Sequence, residues 1–288
     1  MGKPFDLADH GAYAAWRDLK LARHPARVDE LVVEVADPRA LTTAERAALA
    51  DRVAWCNMAL YASRLGEDED KEIVVGLGRQ FGLHRLDHNR GADEDAVTSL
   101  QINEDAAHSS YIPYSNRPIA WHTDGYYNPP DRQIRGLLLH CVRPAREGGA
   151  NQLMDHEVAY IRLRDRDPSL VEALMRPDAM TIPANAVDGA ELRGAAVGPV
   201  FSVIGGALHM RYTARKRNIT WHDDPATAAA VVALEGILGG RDPLAFEATL
   251  GPGWGLLSNN VLHTRSGFEA GSTRLLYRAR YYDRIDLG

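Results

Sequence analysis

At 288 residues with 45% hydrophobic side chains the chain can fill one sizeable core, and its net charge of −6 comes from interspersed Asp and Glu, with no basic stripe to follow a phosphate backbone. Two cysteines in unrelated contexts offer neither a disulfide framework nor a zinc-ligand pairing, and no apolar run reaches the roughly 20 residues that span a bilayer. Nucleic acid and membrane are therefore not expected as partners. The N-terminus lacks a basic-then-apolar leader pattern, so a soluble, cytoplasmic, single-domain protein over residues 1–288 is expected, with a homo-oligomer left open.

In chain order, Thr42-Thr-Ala-Glu45 is a capping-box pattern, and Leu49, Val53, Cys56 or Asn57, Leu60 and Ala62 continue at near-helical spacing, which predicts a helix from about Thr43 to Arg64. A charged turn at Glu67 to Lys71 follows, closing an N-terminal helical elaboration of about residues 1–70. A short helix over Glu72 to Phe81 comes next. Strands are expected at Val97 to Asn103, Ile119 to His122, Gln133 to Val142, Ala150 to Met154, Val200 to Ile204, Leu208 to Tyr212, Gly255 to Ser258 and Arg274 to Tyr282. Between them, Asp224 before Pro225 reads as the N-cap of a helix that Gly239 terminates. Helices followed by strands on long loops argue an α+β fold with a jelly-roll (double-stranded β-helix) core and flanking helices.

The chemistry concentrates at Trp121-His122-Thr123-Asp124-Gly125. Two residues is one strand period, so the His122 and Asp124 side chains leave the chain on one face, at a strand end that opens into a turn-rich loop. His263, in Asn259-Asn-Val-Leu-His, can add a third ligand, completing the two-His, one-carboxylate set that holds non-heme Fe(II) and leaves positions open. The pattern alone is weak, since His222-Asp223-Asp224 also matches it and reads as a helix start. Arg274 begins a strand in which Arg274, Leu276, Arg278 and Arg280 share one face. A solvated basic edge is the bland reading of that face. Eleven residues after His263, however, Arg274 also fits a guanidinium that pairs with a carboxylate bound beside the metal.

His122, Asp124, His263, Arg274 and Arg278 together resemble the TauD/TfdA-like family of Fe(II)- and 2-oxoglutarate-dependent dioxygenases, over roughly residues 70 to 283. Pro129-Pro130, Gly136-Leu-Leu-Leu-His-Cys141 and Glu147-Gly-Gly-Ala-Asn-Gln-Leu-Met-Asp155 look like the family's next strands and their loop. The resemblance implies Fe(II) on His122, Asp124 and His263, and 2-oxoglutarate held at its distal carboxylate by Arg274. It also implies O2 as second cosubstrate and an anionic substrate near Arg278. Where taurine dioxygenases place a Thr to touch 2-oxoglutarate this chain has Asn151, which can still donate a hydrogen bond. Since Asp124 supplies the carboxylate, halogenation is disfavoured and hydroxylation of a small polar metabolite, with succinate and CO2 released, is the expected reaction.

Specificity is expected between Arg176 and Trp221, where the basic cluster His209 to Asn218 reads alone as a solvated loop and, folded over the iron face, would bring Arg211 or Arg215 to the substrate. Tyr126 and Tyr127 follow the ligand pair and suit a pocket wall. With Tyr111, Tyr114 and Trp121 they also suit a cage for a trimethylammonium compound, and an amino acid is a further alternative. His108 lies on a loop that borders the same region. From another class, a non-catalytic barrel holding zinc on the same three ligands remains open, and Arg274 discriminates against it, because structural zinc needs no carboxylate clamp.

Overall fold

A computed structural model describes residues 2–88, 95–102, 112–187 and 190–288. His108 and Tyr111 lie outside them, as does the end of the strand expected to reach Asn103. By their contacts the residues form two compact units, one of Met1–His24, Trp121–Gln133 and Met154–Ala245, the other of Pro25–Ala120, Ile134–Leu153 and Phe246–Gly288. Six helices are described: α1 (His10–Arg23), α2 (Thr43–Cys56), α3 (Glu72–Gln80), α4 (His156–Arg166), α5 (Pro168–Leu174) and α6 (Pro225–Gly239).

Two sheets carry the second unit. Their strands are β1 (Val32–Val35), β2 (Met58–Ser63), β3 (Thr98–Leu100), β4 (Ile119–His122), β5 (Gly136–Arg143), β6 (Asn151–Met154), β7 (Ala245–Ala248), β8 (Trp254–Ser258), β9 (Leu262–Arg265) and β10 (Leu275–Tyr281). The larger sheet runs β1-β2-β8-β5-β10-β3, with β1 parallel to β2 and the remaining pairs antiparallel. The smaller runs β7-β6-β9-β4.

Alternation sorts the larger sheet's side chains into two cores. Tyr61, Leu138, Leu257, Tyr277 and Ala279 pack with Leu49 and Val53 of α2 and Val74 and Leu77 of α3. Leu60, Leu137, Leu139, Leu256 and Leu276 point the other way, toward Leu153 of β6 and Phe246 of β7. Arg278 is in step with Leu276, and Arg274, just before β10, lines one cleft with Leu276.

The capping box at Thr42 and Glu45 forms as expected, but α2 stops at Cys56 rather than near Arg64. Asn57 adopts a left-handed conformation (φ 58°) that ends the helix, and Met58–Ser63 becomes a central strand buried on both faces. Leu60 and Ala62, at helical spacing in the sequence, are alternating residues of that strand.

The first unit holds α1, α4, α5 and α6 and small two- and three-stranded ribbons. Asp224 caps α6 by accepting from Thr227 N, so the second His-x-Asp match is a helix start as read. Helix α1 is anchored by a buried charge: Lys20 Nζ lies 2.6 Å from Asp155 and 2.5 Å from Glu157 at the N-terminus of α4. No described helix is long and apolar enough to cross a membrane.

Candidate metal centre

The approach to the centre begins with Ile119 to His122 as an extended strand because Ile and Trp favour it, while Gly125 (φ 65°) supplies the turn that follows. Beyond the strand the chain stays paired: Thr123 N donates to Tyr212 O at 3.0 Å, and Thr123 Oγ1 accepts from Tyr212 N at 3.0 Å. These bonds fix the direction in which Asp124 departs. Strand β9 neighbours β4 in the smaller sheet and carries His263. One ligand atom from each of His122, Asp124 and His263 lies within 4.8 Å of the others, the one such group of three found among the described residues. His263 Nδ1 bonds the Val261 carbonyl at 3.0 Å, and since a carbonyl only accepts, the ring's proton sits on Nδ1, the tautomer in which Nε2 could ligate a metal. Two neutral imidazoles and one carboxylate at this spacing fit a divalent first-row metal.

Arg274 is 4% exposed, and burial holds its pKa below the ordinary guanidinium value. Among the described residues no carboxylate pairs with it. It lines a small cleft with Cys141, Gly148, Gly149, Asn151 and Leu276. A β-carbon on Gly149 would stand 3.3 Å from Arg274 Nε, and its φ of 72° favours glycine, so Gly149 keeps the guanidinium's place clear. Burial pushes the Cys141 thiol up to about 12, so the cleft adds no thiolate to offset the arginine. An uncompensated buried cation is costly, and a bound anion is its natural complement. Asn151 also faces this cleft, although its Nδ2 donates to Thr264 O at 2.7 Å, leaving a second N–H and Oδ1 for other partners.

Arg211 behaves differently from its reading as a substrate contact. Its Nε donates to Pro199 O, Nη1 to Tyr126 O and Ala196 O, and Nη2 to Met180 O and Gly198 O. Five N–H groups meet five carbonyls, so none remains for a substrate, and burial lowers the pKa to about 10. Arg211 ties the loop after Asp124 to the ribbon of 180–182 and 196–198. Tyr126 and Tyr127 pack edge to face at 5.2 Å.

The sequence reading missed Arg193, whose Cζ stands over the Tyr127 ring at 5.6 Å and whose Nη1 donates to Tyr127 O at 3.3 Å. Two further carbonyls, Gly194 O and Pro183 O, take its other bonded donors, which leaves Nε–H and one Nη2–H. No local pattern marks it, since the hairpin of 185–187 and 190–193 that presents it was not foreseen. Arg265, also missed, sits one strand period past His263 and is 5% exposed. It gathers the carbonyls of Ile112, Pro113, Ser115 and Arg117, and burial, with the Arg274 charge, lowers its pKa to about 9.

A model of the family described as taurine catabolism dioxygenase TauD, TfdA family matches residues 65–280. Two curated relatives, both called uridine-5'-phosphate dioxygenase, are similar to parts of the chain. One, from Amycolatopsis sp, is 38% identical over 106 residues, 35% of each protein. The other, from Streptomyces sp, is 30% identical over 146 residues, 51% of this chain and 50% of the relative. The chain thus spans at most about half the length of the curated relatives it matches. Among solved structures, asparagine oxygenase in complex with Fe(II), 2S,3S-3-hydroxyasparagine and succinate is similar in fold at TM-score 0.55 and 14% identity, covering 99% of this chain and 86% of that one. AAD-2 in complex with Mn(II) and N-oxalylglycine gives TM-score 0.61 at 12% identity, covering 89% and 95%.

Proposed function

Since the chain belongs to the taurine catabolism dioxygenase TauD, TfdA family, we propose that it is an Fe(II)- and 2-oxoglutarate-dependent dioxygenase of a small anionic metabolite, acting as one catalytic domain on a jelly-roll core. The observation that carries the reading is the convergence of His122, Asp124 and His263 within 4.8 Å. Bound there, iron with 2-oxoglutarate and O2 supplies the oxidising chemistry that side chains lack.

The residues of this chain bind and orient. His122 and His263 offer neutral imidazole nitrogens and Asp124 a carboxylate, while Val261 O holds the His263 ring in the tautomer that ligation needs. Arg274 takes the distal carboxylate of the cosubstrate, and Asn151 stands beside it as a second donor. The buried Leu276 and Cys141 around that cleft exclude water and strengthen the pairing. A zinc-holding barrel without activity leaves the buried Arg274 charge unexplained, which disfavours it.

For the substrate, the curated relatives' name points to a phosphate ester of a nucleoside, and we take an anion of that class as the leading candidate. Arg278, on the face shared with Leu276, is the cation assigned to it. Arg211 is not, since its donors are spent. A trimethylammonium cage is disfavoured because the Arg193 guanidinium already stands over the Tyr127 ring.

Anaerobic addition of Fe(II) and 2-oxoglutarate is expected to give a metal-to-ligand charge-transfer absorption that His122→Ala and His263→Ala abolish. Full retention in either variant rejects the ligand set. Succinate formation is then compared across uridine-5'-phosphate, asparagine, L-arginine, taurine and a betaine, and stimulation by the betaine rather than by any anion overturns the substrate class.

A further inference from the structure

A buried guanidinium needs something to hold it in one orientation, and Arg211 and Arg265 show the usual answer in backbone carbonyls. Arg274 is held otherwise. No hydrogen bond from its side chain to another described residue is found, and its Cζ lies over the ring of Phe268 at 5.1 Å from the centroid. Arg265 Cζ stands over the same ring at 4.9 Å. Phe268 is itself fixed on both sides of its backbone. Its N donates to Asn116 O at 3.2 Å, its carbonyl accepts from Asn116 Nδ2 at 3.2 Å, and it forms a β-bridge with Gly148. Asn116 belongs to the segment whose carbonyls Arg265 gathers, with bonds of 2.6 Å to Ser115 O and to Arg117 O.

We propose that Phe268, backed by Arg265, is the positioning residue for Arg274: the aromatic face orients the guanidinium while leaving its N–H donors for the distal carboxylate of the cosubstrate. The proposal rests on reading Arg274 as the cosubstrate anchor. Cation–π attraction acts through the ring quadrupole and consumes no donor, so it holds a cation without competing with the ligand that the cation serves. A carbonyl cradle such as that around Arg211 holds the group as firmly and leaves it inert. Arg265 contributes by keeping the 112–117 segment, and through Asn116 the Phe268 backbone, in place. Its own charge beside Arg274 adds to the positive potential of the cleft. Sequence spacing gives no hint of this arrangement, because Phe268 lies in the Gly-containing loop between the metal histidine and Arg274.

The test titrates 2-oxoglutarate anaerobically into Fe(II)-loaded wild type, Phe268→Leu, Phe268→Tyr and Arg265→Met, reading the charge-transfer absorption, with Fe(II) affinity and thermal midpoint measured in parallel. Phe268→Leu is expected to raise the half-saturating 2-oxoglutarate concentration about tenfold with Fe(II) affinity unchanged, as fits a desolvated cation–π contact. Phe268→Tyr keeps the aromatic face and is expected to restore wild-type saturation, with Arg265→Met falling between. A Phe268→Leu protein that loses thermal stability but keeps wild-type half-saturation overturns the proposal, since a purely structural phenylalanine behaves so. Should that variant not fold, Phe268→Met carries the same comparison against Phe268→Tyr. Absence of any 2-oxoglutarate-dependent absorption in the wild type instead refutes the underlying cosubstrate reading, and the proposal with it.

Discussion

Arg274 and Arg211 carry the same group at similar burial, yet one has its donors in reserve and the other has none. On the proposed role, replacing Arg274 by Ala removes a charge-assisted fork from the cosubstrate carboxylate, a loss of about 2 kcal/mol or more, and is expected to raise the 2-oxoglutarate requirement at least tenfold. Lys restores it in part, because an ammonium reproduces the charge and not the fork. Kinetics at varied 2-oxoglutarate check both, and an Ala variant with unchanged saturation removes Arg274 from the site. Gly149→Ala is expected to act in the same direction, since its methyl would crowd Arg274 Nε at 3.3 Å from a backbone with φ of 72°. Normal 2-oxoglutarate saturation in that variant contradicts the crowding argument. The two arginines were not equally legible. Arg274, directly before β10, lines the same cleft as Leu276 two residues on, the spacing that the sequence shows. Arg211 is decided by which carbonyls surround it, from residues 126, 180 and 196–199, and no local pattern encodes that.

At the level of elements, the ends of regular structure follow local chemistry and the packing partners do not. The α2 capping box and the Asp224 cap were readable because a side chain and the backbone it satisfies lie within three residues of each other. Helix α1 went unread. Beside Tyr13 its buried residue is a lysine, and that lysine answers carboxylates at the far-off start of α4. Lys20→Met strands Asp155 and Glu157 in the interior and is expected to cost about 3–5 kcal/mol, seen as a lower urea midpoint. Charge effects on Asp155 run in a definite direction. Burial alone would raise its carboxyl, but the charges of Lys20, His156 and His24 with the Lys20 hydrogen bond together outweigh burial and hold it far below the usual range, so this stabilisation is complete above the ordinary carboxylate pKa and is lost only as pH falls well below it. An unchanged urea midpoint in Lys20→Met shows that α1 docks by other means.

For the molecule as a whole, acid sensitivity sets in at milder pH through His140, in the larger sheet. It is fully buried, bonds Tyr61 Oη through Nδ1 at 2.9 Å, and burial lowers its pKa to about 4. A depressed imidazole must stay neutral in the fold while the unfolded chain takes up the proton, so stability is complete above about pH 6.5 and declines as pH falls toward 4, by about 3 kcal/mol in all. Urea midpoints of wild type and His140→Gln at pH 7 and 4.5 test this. An equal drop in both proteins assigns the acid lability elsewhere.

The ligand histidines His122 and His263 are 141 positions apart in the chain and adjacent only because β4 lies beside β9. Closing so long a loop costs entropy that late strand pairing must overcome. A nascent or truncated polypeptide ending before β9 lacks the third ligand altogether, so it presents no complete cage to a reactive ion. On the proposed ligand set, iron could be held only once the chain has passed β9, and Arg274, the proposed cosubstrate anchor, follows eleven residues after His263. The order of the chain would thus make the proposed centre all or none: no fragment ending before β9 carries the full ligand set.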